Sequence, residues 1–156
     1  MIRINIPNIE PIVAEHLVLD YNGTLAIDGQ QINGVIKLLG KLSEHLSVHV
    51  ITADTFGTVE KSFANTNINV KIIDGKEQGR QKADFVASLN PQSVVAIGNG
   101  ANDAQMLKLA TLGIAVVQAE GASVQALMNA DIICTSIIDG LNLLLNPKRI
   151  AATLRI

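Results

Sequence analysis

The sequence predicts an α/β protein, with one doubly wound, mostly parallel sheet between two layers of helices, in a single domain covering residues 1–156. Three observations lead there. Short runs rich in β-branched residues alternate with longer stretches of helical periodicity. Most of these runs lack polar alternation, so they read as strands buried on both faces. Strand–helix–strand repetition of this kind needs right-handed crossovers, which produce a parallel sheet.

The elements follow in order. Residues 17–19 form an apolar run that stops at Asp20. Val35, Leu38, Leu39, Leu42 and Leu46 recur at helical spacing, and residues 48–52 form the next strand. A helical stretch carries Val59 and Phe63, and a strand over 70–73 ends at the turn signal Asp74-Gly75. Residues 82–89 show a helical face through Phe85, Val86 and Leu89, stopped by Asn90-Pro91. The rhythm then repeats: strand 94–97, helix 101–110, strand 113–117, a helix through Val124 and Leu127, and strand 131–134. Helical segments 137–146 and 147–154 close the chain.

Composition limits what such a domain can do. Hydrophobic residues make up 48% and charged residues 17%, which suits a packed core and not a disordered chain. Aromatics are only 3%, so the core is aliphatic and no base-stacking platform is available. A formal net charge of −2 offers no basic patch, and nucleic acid is excluded as a partner. The one cysteine, Cys134, rules out an internal disulfide and a cysteine-rich zinc site, and reads as a small buried hydrophobe. The N-terminus carries charges and prolines where a signal peptide needs an apolar stretch, and no segment nears the roughly 20 apolar residues of a membrane span. The expected location is the cytoplasm, with no membrane partner.

Ligands of open α/β sheets bind beyond the carboxyl ends of the strands. At those ends stand Asp20, Thr52 and the loop Gly98-Asn99-Gly100-Ala101-Asn102-Asp103, with Lys82 near the start of a helix. This set suits a phosphoryl group. A carboxylate can attack phosphorus, carboxylates can hold Mg²⁺, and a hydroxyl, backbone N–H groups and an ammonium can receive phosphoryl oxygens. Each residue also has a plainer reading. Asp20 alone could end a strand, Thr52 could cap a helix, Lys82 could be an exposed helix lysine in competition with Lys76, and the glycine loop could be an ordinary turn. Asp28, Asp54, Asp74 and Asp139 read as caps and turn residues, with Asp54 close enough to Thr52 to face the same edge. His16, His45 and His49 lack ligand spacing and read as structural or solvated.

The run Leu17-Val18-Leu19-Asp20-Tyr21-Asn22-Gly23-Thr24-Leu25 resembles the first motif of the haloacid dehalogenase (HAD) superfamily, an apolar strand followed by Asp-x-Asp-Gly-Thr. Val50-Ile51-Thr52 is similar to the second motif, Lys82 to the third, and Gly98-Asn99-Gly100-Ala101-Asn102-Asp103 to the fourth, all in the family's order. Within the superfamily, the segments KADFVASL, GNGANDAQML and GIAVVQAEGASVQALMNADI resemble the phosphorylation domain of P-type cation ATPases. The resemblance implies a three-layer Rossmann-like fold and a Mg²⁺-dependent hydrolase acting on a small phosphorylated substrate. By that likeness Asp20 is the nucleophile forming an aspartyl-phosphate. Asn22 gives Mg²⁺ its backbone carbonyl, Asn99 and Asp103 help hold the metal, and Thr52, Lys82 and Asn102 bind the phosphoryl group.

Two positions depart from the family. Asn22 stands where its phosphatases have an acid–base Asp, and an amide neither gives nor takes a proton near neutral pH. Slow turnover, or a preference for acyl and aryl phosphates, is the expectation. Asn99 stands where a metal-binding Asp is usual, which removes one negative charge and weakens the expected Mg²⁺ site. These changes keep open an alternative, a regulatory module that binds phosphate or a protein partner without catalysis. A receiver-like phosphoacceptor is excluded because Asp20 follows the first strand of the repeating series. The gaps between Thr24, Thr52 and Lys82 are each roughly thirty residues. That leaves no room for an inserted cap domain of typically about 50 residues or more. Residues 26–32 are expected to form a short hairpin flap turning at Asp28-Gly29. A capless site of this kind implies a homo-oligomer whose neighbouring subunit closes it.

Overall fold

A computed structural model describes residues 1–54 and 57–156. The central sheet contains β3 (His16–Asp20), β6 (Ser47–Thr52), β7 (Ile68–Ile72), β8 (Val94–Gly98), β9 (Leu112–Val116) and β10 (Ile132–Cys134). Their spatial order is β10-β9-β8-β3-β6-β7, with every neighbouring pair parallel. The chain thus builds outward from β3 through β6 to β7, then returns to the other side of β3 for β8, β9 and β10. The direction of winding reverses between β3 and β8, which is where an open α/β sheet forms its crevice.

Side chains alternate across each strand, and this sorts the core into two layers. Leu17, Leu19, Val48, Val50, Ile97 and Ile114 bury toward α1 (Val35–Ser43), α6 (Ile137–Leu145) and α7 (Pro147–Leu154). Val18, Ile51, Ala96 and Ala115 bury toward α3 (Gln78–Ser88), α4 (Ala104–Leu109) and α5 (Val124–Met128). Asp20 is in phase with Val18, so its side chain leaves the sheet toward α3. α2 (Thr58–Phe63) adds Val59 and Phe63 to the first layer. The predicted three-layer α/β architecture is the observed one.

Several details differ from the sequence expectation. α3 begins at Gln78, so Lys82 lies in its second turn and not near its start; residues 78–81 are polar and carry no apolar periodicity to mark the first turn. The helix expected over 101–110 is a 3₁₀ turn, Ala101–Asp103, followed by α4. An antiparallel ribbon, β1 (Ile2–Ile4) with β2 (Ile12–Ala14), covers the first core layer through Ile2, Ile4 and Ala14. The flap forms as expected, with β4 (Ala26–Ile27) paired to β5 (Gln30–Gln31). Asp28 and Gly29 have φ of 49° and 75°, the positive pair that a tight hairpin turn requires. Between Thr24 and Thr52, and among the described residues between Thr52 and Lys82, only such sheet and helix elements occur, and no cap is inserted. No helix among the described residues is long and apolar enough to cross a membrane.

Candidate active site

Asp20 ends β3 at the centre of the sheet and is 7% exposed. Lys82 reaches it across the α3 layer, with Nζ 2.7 Å from Asp20 Oδ1 and 2.7 Å from Asp103 Oδ1. Lys82 is 1% exposed, so the reading as a surface lysine is wrong, while Lys76 lies exposed in the preceding loop. Asp103 is fully buried, and its Oδ2 accepts the backbone N–H groups of Asn99 (2.9 Å) and Gly100 (2.8 Å). One aspartate therefore anchors the lysine and shapes the β8 loop together. The absence of a side chain at Gly98 makes this packing possible, since a Cβ there would stand 2.5 Å from Asp103 Cγ.

Three buried ionisable groups meet at this point, two carboxyls and one ammonium. A single lysine cannot neutralise both carboxylates. The Asp20 carboxyl is pushed up to about 7, first by burial and next by the charge of Asp103, against the opposing pull of Lys82 and Thr24. Burial draws Lys82 down, but the charges and hydrogen bonds of its two partners outweigh it and leave Lys82 above its ordinary value.

Thr24 adds a second constraint. Its Oγ1 lies 3.1 Å from Asp20 Oδ2 and 3.2 Å from Asn99 Oδ1, so one hydroxyl proton serves two acceptor oxygens. The Asn99 amide is oriented by its Nδ2, which donates to Gly121 O at 3.1 Å. Gly23, at φ 80°, lies under Asn99, and a Cβ there would approach Asn99 Nδ2 to 2.3 Å. Gly23→Ala is therefore expected to lower the stability by about 1–3 kcal/mol through backbone strain and displaced packing. A urea unfolding midpoint equal to that of the unsubstituted protein would contradict this.

These groups surround a cavity of about 540 Å³ lined by Asp20, Asn22, Thr52, Lys82, Asn99 and Asn102, and also by Tyr21, Gly29, Asp54, Thr58 and Gln78. Of the residues given a nucleophilic, metal or phosphate role in the sequence analysis, Asp103 stays off the wall, behind Lys82. Thr52 is 2% exposed and accepts from the Asp54 N–H at 3.2 Å. Asn102 Nδ2 donates to Gln78 Oε1 at 2.7 Å, joining the β8 loop to α3. Sequence reasoning left Thr24 and Gln78 without a role. Thr24 lies inside the first motif and could have been found there, whereas nothing in its neighbourhood marks Gln78. Gln118 was missed as well, although its Nε2 holds the carbonyls of Gly23 (3.0 Å) and Thr24 (2.9 Å) while its Oε1 accepts the Ile137 N–H (2.7 Å).

The plainer readings hold elsewhere. Asp74 accepts from Lys76 N and Gln81 Nε2 in a turn, and Asp139 pairs with Ser136 at the start of α6. His16 Nδ1 and His49 Nε2 lie 3.3 Å apart, with His49 edge-on to Phe85 of α3. Cys134 is buried. Among the described residues, no three His, Cys, Asp or Glu side chains gather as a metal cluster. A cation at Asp20 would rest on one carboxylate and neutral oxygens. The site nevertheless suits one, because it has a surplus buried carboxylate and two oxygens competing for the Thr24 proton.

Comparison with known proteins gives the family of the chain and the likeness of its fold. Residues 28–140, well over half of the chain, match the family model described as haloacid dehalogenase-like hydrolase. The matched stretch takes in Thr52, Lys82 and the β8 loop but begins beyond Asp20. An uncharacterised protein of Methanocaldococcus jannaschii is 48% identical over 67 residues, covering 42% of this chain and 72% of that protein. In fold, the chain is similar to 3-deoxy-D-manno-octulosonate 8-phosphate phosphatase from Moraxella catarrhalis, crystallised with magnesium and phosphate ions. The TM-score is 0.67 at 20% identity, over 91% of this chain and 94% of that one. It is also similar to part of a zinc-transporting PIB-type ATPase, with a TM-score of 0.63 at 21% identity, over 79% of this chain and 20% of that one.

Proposed function

The chain belongs to the haloacid dehalogenase-like hydrolases, and from that premise we propose that it is a Mg²⁺-dependent phosphohydrolase working through an aspartyl-phosphate on Asp20. The observation that carries this reading is the clasp on Asp20, a buried carboxylate at the cavity floor held by Lys82 Nζ at 2.7 Å and Thr24 Oγ1 at 3.1 Å. A carboxylate with a donor on each oxygen is held in one orientation toward an incoming phosphorus.

The chain's own groups divide the work. Asp20 attacks phosphorus, and the leaving group departs on the opposite side. Thr52 accepts from the Asp54 N–H, which turns its own proton toward a phosphoryl oxygen. Lys82 offsets phosphoryl charge as well as that of Asp20. Asn102 has a second amide hydrogen beyond the one given to Gln78, and directs it to the phosphate. Asp103 positions Lys82 and the β8 loop, with both oxygens turned inward, and is left out of the metal's ligands. Mg²⁺ would be held by the Asp20 carboxylate, the Asn22 main-chain carbonyl and the Asn99 amide oxygen, and supplies positive charge that offsets the phosphoryl oxygens.

The substrate is a small phosphorylated molecule. Asn22 cannot protonate a leaving group, so acyl and aryl phosphates are favoured over alkyl esters. Incubation with Mg²⁺ and acetyl phosphate or beryllofluoride should yield an adduct on Asp20 by mass spectrometry. No adduct, and no hydrolysis across a panel of phosphate esters, would overturn the proposal. Asn22→Asp is expected to raise the turnover of an aryl phosphate by about tenfold or more. A variant no faster than the unsubstituted protein would show that the amide is not what limits it.

A further inference from the structure

We propose that Asp54 is the general base that activates water against the phosphorylated Asp20. The role rests on the aspartyl-phosphate reading above and assigns a residue to its second half. With Asn22 unable to accept a proton, the hydrolytic water needs another acceptor. Among the described residues lining the cavity, Asp20 and Asp54 are the carboxylates, and no histidine is present. Asp20 is occupied once phosphorylated. Lys82 is committed through its ammonium to Asp20 and Asp103, each 2.7 Å from its Nζ, and a tyrosine phenol such as Tyr21 is a proton donor and not a base near neutral pH. Asp54 is the remaining lining side chain whose chemistry suits the task.

Its placement follows from the sheet. β3 and β6 are parallel, with Asp20 opposite Ile51, and neighbouring strands lie about 4.8 Å apart. Asp54 comes three residues after Ile51, and its N–H folds back onto Thr52 Oγ1, which keeps the segment over the strand ends. The carboxylate is anchored from α2: Thr58 Oγ1 donates to Oδ2, and Val59 N approaches the same oxygen at 3.4 Å. A base needs such fixing, and here one of the two fixing donors, Thr58, belongs to the cavity wall itself.

In the step assigned to it, the water oxygen bonds to phosphorus as the bond from phosphorus to the Asp20 oxygen breaks, and that electron pair returns to the Asp20 carboxylate. The water proton passes to Asp54. Inorganic phosphate leaves, and Asp54 releases the proton to solvent. No oxidant or further reactant is needed.

Rapid-quench kinetics with p-nitrophenyl phosphate and Mg²⁺ separate the two halves. For Asp54→Asn, formation of the phosphoenzyme should match the unsubstituted protein, while its breakdown slows about 100-fold or more, so that phosphorylated Asp20 accumulates. Asp54→Glu should recover part of the rate. Hydroxylamine, a nucleophile that does not need the base, should discharge both phosphoenzymes equally. Breakdown within about threefold of normal, or formation slowed as much as breakdown, would overturn the assignment. Should Asp54→Asn fail to fold, Asp54→Ser measured with and without hydroxylamine gives the same decision. A protein that never labels on Asp20 would overturn the aspartyl-phosphate reading itself. Normal labelling with unchanged breakdown in the variant would overturn only the role of Asp54.

Discussion

Asp20→Asn should lower phosphohydrolase activity by at least about a thousandfold and abolish the acetyl-phosphate adduct, without weakening the fold. The amide keeps an oxygen for Lys82 and can exchange hydrogen bonds with Thr24, so the clasp survives while the nucleophile is lost. Its effect on stability depends on pH. The Asp20 carboxyl moves from an ordinary 3.8 to about 7 in the folded protein. A raised folded value means that the folded state binds the proton more tightly than the unfolded chain does. The contribution of Asp20 is therefore fully present below pH 3.8 and is lost as pH rises through about 7. In metal-free buffer the unsubstituted protein should lose on the order of a few kcal/mol between pH 4 and pH 8 from this group alone. Asp20→Asn should lack that slope and be at least as stable at pH 8. Urea midpoints at the two pH values check this. A variant with the same slope, or one markedly less stable at pH 8, would mean that the buried charge surplus does not govern the site.

The parts of this site that could be read from the sequence are those where a polar residue interrupts an apolar run. Asp20 and Thr52 terminate strands whose residues just before them are buried, and the run of amide and glycine residues after Gly98 has no place inside a strand. Those interruptions locate the carboxyl edge of a parallel sheet, and the sheet itself follows from unbroken β-branched runs. The roles set by three-dimensional partnership were less legible. Lys82 carries the residue type of a solvated helix face, and only the approach of α3 to β3 makes it the charge partner of two aspartates. Asp103 belongs to a metal-site motif by resemblance, yet its oxygens face a lysine and two N–H groups because Gly98 and Asn99 bend the loop around it. Gln118 lies 94 residues from one of the carbonyls it holds, a separation no local pattern encodes. At the N-terminus the ribbon of β1 and β2 lies outside the sequence expectation, although Ile2 and Ile4 alternate with Arg3 and bury one face.

Lys82→Met is expected to be the most destabilising single change at the site. Methionine is similar in length and apolar, so the helical packing of α3 against the sheet can persist. What disappears is the one cation between Asp20 and Asp103, both 2.7 Å from its Nζ. Removing one partner of a buried ion pair typically costs about 3–5 kcal/mol, because it strands the opposite charge without a counterion. Here two carboxyls would be stranded together, and the cheapest relief is for Asp20 to retain its proton to a still higher pH. The deficit relative to the unsubstituted protein should therefore be smaller at pH 5, where Asp20 keeps its proton and only the Asp103 contact is lost, than at pH 8, when metal is absent. For a domain of this size, each 1 kcal/mol corresponds to a melting shift of about 2–4 °C. Combining Lys82→Met with Asp20→Asn should restore much of the loss at pH 8, since one of the two stranded charges is then gone. The pair would be strongly non-additive, with an interaction term on the order of 1–3 kcal/mol. Additive behaviour of the two substitutions, or a deficit independent of pH, would show that Lys82 acts by filling space and not by balancing the charge of its two aspartates.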